Sequence, residues 1–316
     1  MGMGICVPDG MLTNADLEAM VDTSDTWIME RTGIRTRHRV GAGETASSMG
    51  AVAARRALEQ AGNPAVDMIL TATCSPDTLL PSTACLIQRS LGLQGQPAMD
   101  LNAACSGFVY GMAMADSLVR SGAARTVLLV TTEAMTSLVD YGDRTTCVLF
   151  GDGAAATVVG ASAGGDGLRA SNWGADGADA AMIYYGPSQD GLRSEDRLRM
   201  AGRGTYRLAV ERLCGVAEQL CADAGWSLGE VDHVVPHQAN LRIIDAAAKR
   251  LGILPERVVL NVAEMGNTSA ASIPIALAEA AAAGRISPGD KVLCVAFGAG
   301  STWGGVALTW TAPCGA

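Results

Sequence analysis

Aromatic side chains are scarce in this chain: 5 Trp, 5 Tyr and 3 Phe make up 4% of its 316 residues. The core must therefore be assembled from Ala, Val, Leu, Ile and Met, which the 49% apolar content supplies. No uninterrupted apolar run approaches the roughly 18 residues of a membrane span. The opening MGMGICVPDG has neither the basic nor the apolar stretch of a secretory signal, and Cys6 stands where a myristoylation signal has Ser or Thr. These absences predict a cytoplasmic protein without membrane attachment. Positive charge is short as well. The 23 Lys and Arg against 32 Asp and Glu leave a net charge of −9, so no broad surface can wrap nucleic acid, and an anionic partner must meet a local basic patch. The 9 cysteines (Cys6, Cys74, Cys85, Cys105, Cys147, Cys214, Cys221, Cys294 and Cys314) contain no C-x-x-C pair, so neither a disulfide framework nor a metal site is expected. No G-x-G-x-x-G follows an apolar run with an acidic residue about 20 further on, which removes the dinucleotide-binding reading. With 38 Gly, the mixture also excludes disorder, collagen and coiled coil.

What the chain does have is an internal repeat. AARRALEQAG, VDMILTATC, LGLQGQPAMDLNAACSG, ARTVLLVTTEA and FGDGAAATVVGA in the first part are followed, in the same order, by ERLCGVAEQLCADAG, VDHVVPHQ, LGILPERVVLNVAEMGN, DKVLCVAFGAG and STWGGVALTW. Val66 and Val231 are 165 apart, as are Val127 and Val292; Leu91 and Leu251 are 160 apart, Leu101 and Leu260 159. Each unit alternates helical patterns with short Val/Ile/Leu runs of the kind buried on both faces of a sheet. The expectation is a five-layered α/β/α/β/α sandwich of two duplicated halves, 1–160 and 206–316. A Gly- and Asp-rich excursion over 161–205 connects them across the surface.

Ligands of such sheets gather at the carboxyl ends of the strands. Three reactive side chains stand there. Cys105 follows PAMDLNAA and opens the helix SGFVYGMAMADSLV, where the helix dipole favours a nucleophilic thiolate. His237 follows VDHVVP, whereas His233 points to the opposite face and His38 sits in a basic loop. Asn267, in EMGNTSAAS, falls within a few residues of the repeat position of Cys105. Cys, His and Asn can form a thiol hydrolase, with His as base and Asn orienting it. Alternatively His and Asn donate to a thioester oxygen while the helix activates Cys. Spacing leaves both open.

NAACSGFVYG, PHQANLRII, GNTSAASIP, TSDTWIMERTGIRTRH, DRTTCVLFGDGAAA and FGAGSTWGGVAL together resemble β-ketoacyl-acyl carrier protein synthase III, a condensing enzyme of thiolase-like fold, over about residues 2 to 310. The resemblance implies that acyl-coenzyme A acylates Cys105. Malonyl-acyl carrier protein then loses carbon dioxide and attacks the acyl-enzyme, with His237 and Asn267 holding its thioester oxygen. It implies a second oxyanion hole from the backbone N–H groups of Cys105 and Ala299, the latter standing where relatives often have a glycine. It implies coenzyme A contacts at Thr23, Trp27, Arg31 and Arg144, with the adenine stacked between Trp27 and Arg31. The acyl pocket is expected at Met135, Phe150 and Met200, with Leu80 reaching across a homodimer interface. Leu80 is smaller than Phe, which predicts a primer larger or more branched than acetyl. The acidic carrier protein is expected to dock on Arg207, Arg242, Lys249 and Arg250. No cofactor or metal is implied. Relatives begin with several residues before the G-x-G at Gly2 and Gly4, so a shortened first strand is expected to weaken the centre of one sheet.

The alternatives are a relative that primes polyketide synthesis or transfers acyl groups in secondary metabolism, and a Cys-His-Asn thioester hydrolase. Against the hydrolase, the chain lacks a C-G-S-C-W type signature. Against a non-catalytic member of the fold, all three polar residues are retained.

Overall fold

The structure is a computed structural model that describes residues 2–162, 166–186 and 196–311; Cys314 lies outside them. The first half runs β1 (Gly2–Cys6), β2 (Met11–Thr13), α1 (Asn14–Glu18), α2 (Asp25–Thr32), β3 (Thr36–His38), α3 (Ala46–Gln60), β4 (Met68–Ala72), α4 (Thr83–Leu91), β5 (Ala98–Leu101), α5 (Gly107–Arg120), β6 (Thr126–Ala134) and β7 (Asp152–Gly160). The second runs β8 (Gly167–Ala175), β9 (Ile183–Gly186), β10 (Arg197–Met200), α6 (Gly202–Ala224), β11 (His233–Pro236), α7 (Leu241–Leu251), α8 (Val262–Met265), α9 (Ser272–Ala282), β12 (Lys291–Gly298) and β13 (Thr302–Thr309).

The two large sheets repeat one topology. The first has the order β1-β7-β6-β4-β5, the second β8-β13-β12-β11. At the place of a fifth strand in the second sheet, Val258 makes a single parallel bridge to Val234. Registers match too: Met68 pairs with Val127 and His233 with Val292, so each partner is displaced by the same 165 residues. The helices α3 and α4 cover the outer face of the first sheet, α6 and α7 that of the second, and α5 and α9 lie between the sheets. The central layer explains the shortage of rings. Nearly the whole surface of α9 (SIPIALAEAAA) is buried, and every residue of β6 is buried, so small and aliphatic side chains fill space approached from both sides. A Cβ on Gly107 of α5 would stand 2.9 Å from Ala72 Cβ and 3.0 Å from Ala270 Cβ, which is how closely the two halves meet.

Two expectations change. Within 161–205, residues Gly167–Ala175 are not a surface excursion but β8, the edge strand of the second sheet, paired antiparallel with β13. Its residues alternate between half-buried and exposed, the ordinary pattern of an edge strand, and this hid it among glycines and aspartates. At the other end, β1 pairs with β7 over all of Gly2–Cys6 and lies at an edge of its sheet, not at its centre. A side chain at Gly2 or Gly4 would run into the backbone of α3, which accounts for the G-x-G.

Above the carboxyl ends of the strands, α1, α2, β2, β3 and the β9–β10 pair form a cap. Its apolar cluster includes Leu17, Ile28, Ile34, Met135, Phe150 and Leu198.

Candidate active site

The turn after β5 presents the thiol. Asn102 Oδ1 accepts the Ala104 N–H at 3.2 Å, Ala104 takes φ 47°, and the chain passes through a 3₁₀ turn, Ala104–Ser106, directly into α5. Cys105 sits on that turn at the positive end of the helix. Burial exceeds the helix effect: it pushes the thiol up to about 12, while Ser269 pulls it down and the nearby Glu133 pushes it further up. The resting group is a thiol, not the thiolate that helix position alone suggests.

His237 and Asn267 come from the second half. His237, 3% exposed, follows β11, and burial lowers its imidazole to about 3, so it is neutral. Its Nδ1 stands 2.6 Å from Ser272 Oγ, which also accepts the Gln238 N–H at 3.3 Å. With the Ser272 hydroxyl donating to Nδ1, the single ring proton of the neutral imidazole sits on Nε2, which is then a hydrogen-bond donor. Asn267 is pinned through its backbone between Leu149 O (2.8 Å) and Gly151 N (3.0 Å). Its Oδ1 accepts the Ser269 N–H at 2.9 Å, which frees Nδ2 to donate. Asn267 therefore does not orient His237, as a thiol hydrolase requires. Both side chains present donors, an arrangement suited to an oxyanion.

Cys105, His237, Asn267 and Ala299 line one cavity of about 910 Å³. A Cβ on Gly298 would stand 2.7 Å from the Cys105 nitrogen, so the glycine loop lies against the nucleophile's N–H. Ala299 is not among the residues with positive φ, and its methyl group is accommodated without strain. Met135, Phe150 and Met200 line the same cavity. So do Trp27, Arg31 and Arg144, whose guanidinium carbons lie 6.0 Å (Arg31) and 5.1 Å (Arg144) from the Trp27 ring centre, Arg144 being the nearer. Thr23 and Leu80 do not line it. Leu80 is 84% exposed beside Leu79 at 91%. Arg242 stands at the cavity rim, 5.7 Å from the Tyr206 ring, while Arg207, Lys249 and Arg250 are exposed on α6 and α7 away from the lining. Sequence reasoning missed Ser272, whose only sign was a hydroxyl in GNTSAAS. It also missed Glu133, the one acid in the otherwise uncharged run TVLLVTTEA. Of the other histidines, His233 Nε2 pairs with Asp290 at 3.2 Å and His38 Nδ1 stands 2.7 Å from Pro8 O.

A duplicated five-layer sandwich, with a helix-borne Cys from one half facing a His and an Asn donor from the other, defines a condensing enzyme of thiolase-like fold. Comparison narrows the class. The 3-oxoacyl-[acyl-carrier-protein (ACP)] synthase III family model matches residues 99–177, and its C-terminal model residues 221–310. β-Ketoacyl-[acyl-carrier-protein] synthase III of Agrobacterium fabrum is 47% identical over 98% of both chains. The crystal structure of 3-oxoacyl-[acyl-carrier-protein] synthase III from Aquifex aeolicus superposes with a TM-score of 0.93 at 43% identity, covering 98% of each chain. The priming β-ketosynthase of a polyketide biosynthetic pathway gives 0.94 at 36% identity, over 99% of this chain and 96% of that one. The chain belongs to the β-ketoacyl-[acyl-carrier-protein] synthase III family.

Proposed function

We propose that the protein joins an acyl group from acyl-coenzyme A to malonyl-acyl carrier protein with loss of carbon dioxide, giving β-ketoacyl-acyl carrier protein, the initiating step of type II fatty acid synthesis. The observation that carries this reading is the donor pair His237 and Asn267 facing Cys105 in one deep cavity. In the first step the Cys105 sulphur attacks the acyl thioester, and the oxyanion is held by the N–H groups of Cys105 and Ala299. In the second, malonyl loses carbon dioxide and the enolate oxygen is held by His237 Nε2–H and Asn267 Nδ2–H. Each such donor contributes about 10²–10³ in rate. A neutral imidazole suits this role, because it donates without first needing a proton.

Trp27, Arg31 and Arg144 at the mouth fit the adenine and phosphates of coenzyme A, as a ring between guanidinium groups does, with Thr23 as a flanking contact. Met135, Phe150 and Met200 form the wall for the acyl chain. The exposed Leu80 completes it from a second copy in a homodimer and, being smaller than Phe, admits a primer larger or more branched than acetyl. Arg207, Arg242, Lys249 and Arg250 receive the acidic carrier protein, the reaction needs no cofactor or metal, and the cytoplasm is its setting. No helix among the described residues is long and apolar enough to cross a membrane. Similarity to a priming ketosynthase supports a second reading, the same chemistry on a polyketide carrier.

Intact mass after incubation with mixed acyl-coenzyme A species, followed by malonyl-carrier and measurement of released carbon dioxide, tests the assignment. An acyl adduct on Cys105 and stoichiometric carbon dioxide are expected. Thioester hydrolysis without condensation would refute it. An adduct formed overwhelmingly from acetyl-coenzyme A would refute the primer size.

A further inference from the structure

One buried ionisable group beside the nucleophile has no part in the steps above. Glu133, at the end of β6, has no exposed surface. Its carboxyl accepts from Ser75 Oγ at 2.6 Å, Cys74 N at 3.1 Å, Thr73 Oγ1 at 3.3 Å and, across the interface between the halves, Ala270 N at 3.4 Å. The Cys74 thiol is 3.4 Å away. The Ser269 hydroxyl stands 3.6 Å from the Cys74 sulphur and lines the cavity together with Cys74 and Cys105, and its side chain pulls both the Cys105 thiol and the Glu133 carboxyl down. The repeat shows what this place is. Residue 133 is displaced by 165 from Gly298 and residue 105 by 165 from Ala270. Gly298 leaves the Cys105 N–H open to a substrate oxygen, whereas Glu133 fills the mirror position and takes the Ala270 N–H itself. A carboxylate thus occupies the second half's counterpart of the oxyanion hole.

Acylation must remove a proton from a half-buried thiol whose surroundings disfavour the thiolate. His237 is poorly placed to take it: Nδ1 receives the Ser272 proton and Nε2 already carries one. We propose that Glu133, acting through the Ser269 hydroxyl, takes the Cys105 proton as the acyl group arrives and returns it when the condensed product leaves. The inference rests on the acyl-coenzyme A reading above. As the Sγ–acyl bond forms and the coenzyme A thioester breaks, the proton passes from Sγ to Ser269 Oγ while the serine proton passes to Glu133, and coenzyme A departs as thiolate to be protonated by water. Carbon dioxide then leaves malonyl, the new carbon–carbon bond forms, and the Sγ–acyl bond breaks. The Cys105 thiolate recovers the proton by the reverse path. One proton is taken up from solvent per turnover, as decarboxylation of a carboxylate requires. Glu133 is a positioning residue, since it reaches the reacting sulphur only through Ser269. The titratable groups that face it are Cys74, from the loop after β4, and Cys105; the second half contributes Ser269 and the Ala270 N–H. Burial pushes all three acids up, but four donors (Ser75 Oγ, Cys74 N, Thr73 Oγ1 and Ala270 N) favour the ionised Glu133 carboxylate, whose charge raises Cys105 further; in this arrangement the Glu133–Cys105 pair shares one proton.

The test is the single-turnover rate of acyl adduct formation, followed by intact mass across about pH 7 to 9.5, a window in which internal transfer within a one-proton pair makes the rate level. Glu133→Gln is expected to acylate about 10²-fold more slowly near neutrality. Its rate should rise about tenfold per pH unit, because the thiol must then ionise to solvent. Ser269→Ala is expected to show the same slope and serves if Glu133→Gln fails to fold. Its φ of 47° is tolerated by alanine at the equivalent Ala104. A level profile in either folded variant, merely scaled, overturns the inference. A wild-type protein that forms no adduct at all overturns the acyl-coenzyme A reading instead.

Discussion

The two halves place the same backbone device at the centre of the molecule and equip it differently. In the first, Asn102 Oδ1 accepts the Ala104 N–H and Ala104 takes φ 47°; in the second, Asn267 Oδ1 accepts the Ser269 N–H and Ser269 takes φ 47°. Behind these turns, Ala72 and Gly107 touch with no room for a further Cβ. Displaced by 165, the same positions hold His237 and Ser272, joined by a 2.6 Å hydrogen bond. One half therefore spends its turn on a nucleophile packed among small residues, and the other on a pair of oriented donors. Duplication supplied the geometry, and a handful of substitutions divided the labour.

The division is broken most completely at the thiol. Cys105→Ser is expected to abolish the acyl adduct seen by intact mass. Its counterpart sharpens the point: Ala270→Cys in a Cys105→Ala background places a thiol at the repeat-equivalent position. Ala270 is 1% exposed and does not line the cavity, so this variant should form no adduct either. An adduct there would show that the turn alone makes the nucleophile.

The donors come next. His237→Ala and Asn267→Ala should still acylate, but each should slow release of carbon dioxide from malonyl-carrier by about 10²–10³. Asn102→Ala, the counterpart of Asn267, removes the acceptor for Ala104 and leaves the donors intact. It should slow the same step by less than about tenfold, the effect of one neutral hydrogen bond. Equal losses at Asn102 and Asn267 would mean that Asn267 only shapes its turn. Ser272→Ala should cost about tenfold, again one hydrogen bond, by releasing the His237 tautomer.

Much of this was legible in the sequence. The constant offset of the Val and Leu runs gave away the duplication, and strand–Cys–helix, strand–His and GNTS placed the three polar side chains at strand ends. The exact correspondence was not legible: the Leu101–Leu260 spacing matches Asn267 to Cys105 only loosely, whereas hydrogen bonds and φ values match it to Asn102. The protonation state was hidden too. A helix N-terminus argues for thiolate, but the desolvation that reverses it depends on how α5, the Gly298 loop and the turn at Ser269 pack around the half-buried Cys105, which no local pattern encodes. Edge strand β8 escaped because its half-exposed alternation among glycines reads as loop, and Glu133 because a buried acid in an otherwise uncharged strand acquires meaning only beside the other half.

The smallest expected effect is on stability, and it separates the halves by pH. His237 is neutral in the folded protein, its imidazole lowered by burial to about 3, and titrates near its ordinary value of about 6.5 once unfolded. Below about 6.5 the unfolded chain binds a proton that the native state does not, so stability is lost as pH falls from there toward 3, by at most about 1.4 kcal/mol per pH unit. Above 6.5 the contribution is fully present. Ala72, at the mirror position, has no such dependence. Thermal unfolding of wild type and His237→Ala at pH 7 and pH 5 should therefore show a steeper fall for wild type, with the difference between the two proteins shrinking or reversing at the lower pH. Parallel falls would mean that His237 is protonated in the native state at pH 5. A charged imidazole there would also donate more strongly to the enolate oxygen, and condensation from pre-acylated enzyme would then speed up through pH 6.5 rather than stay level.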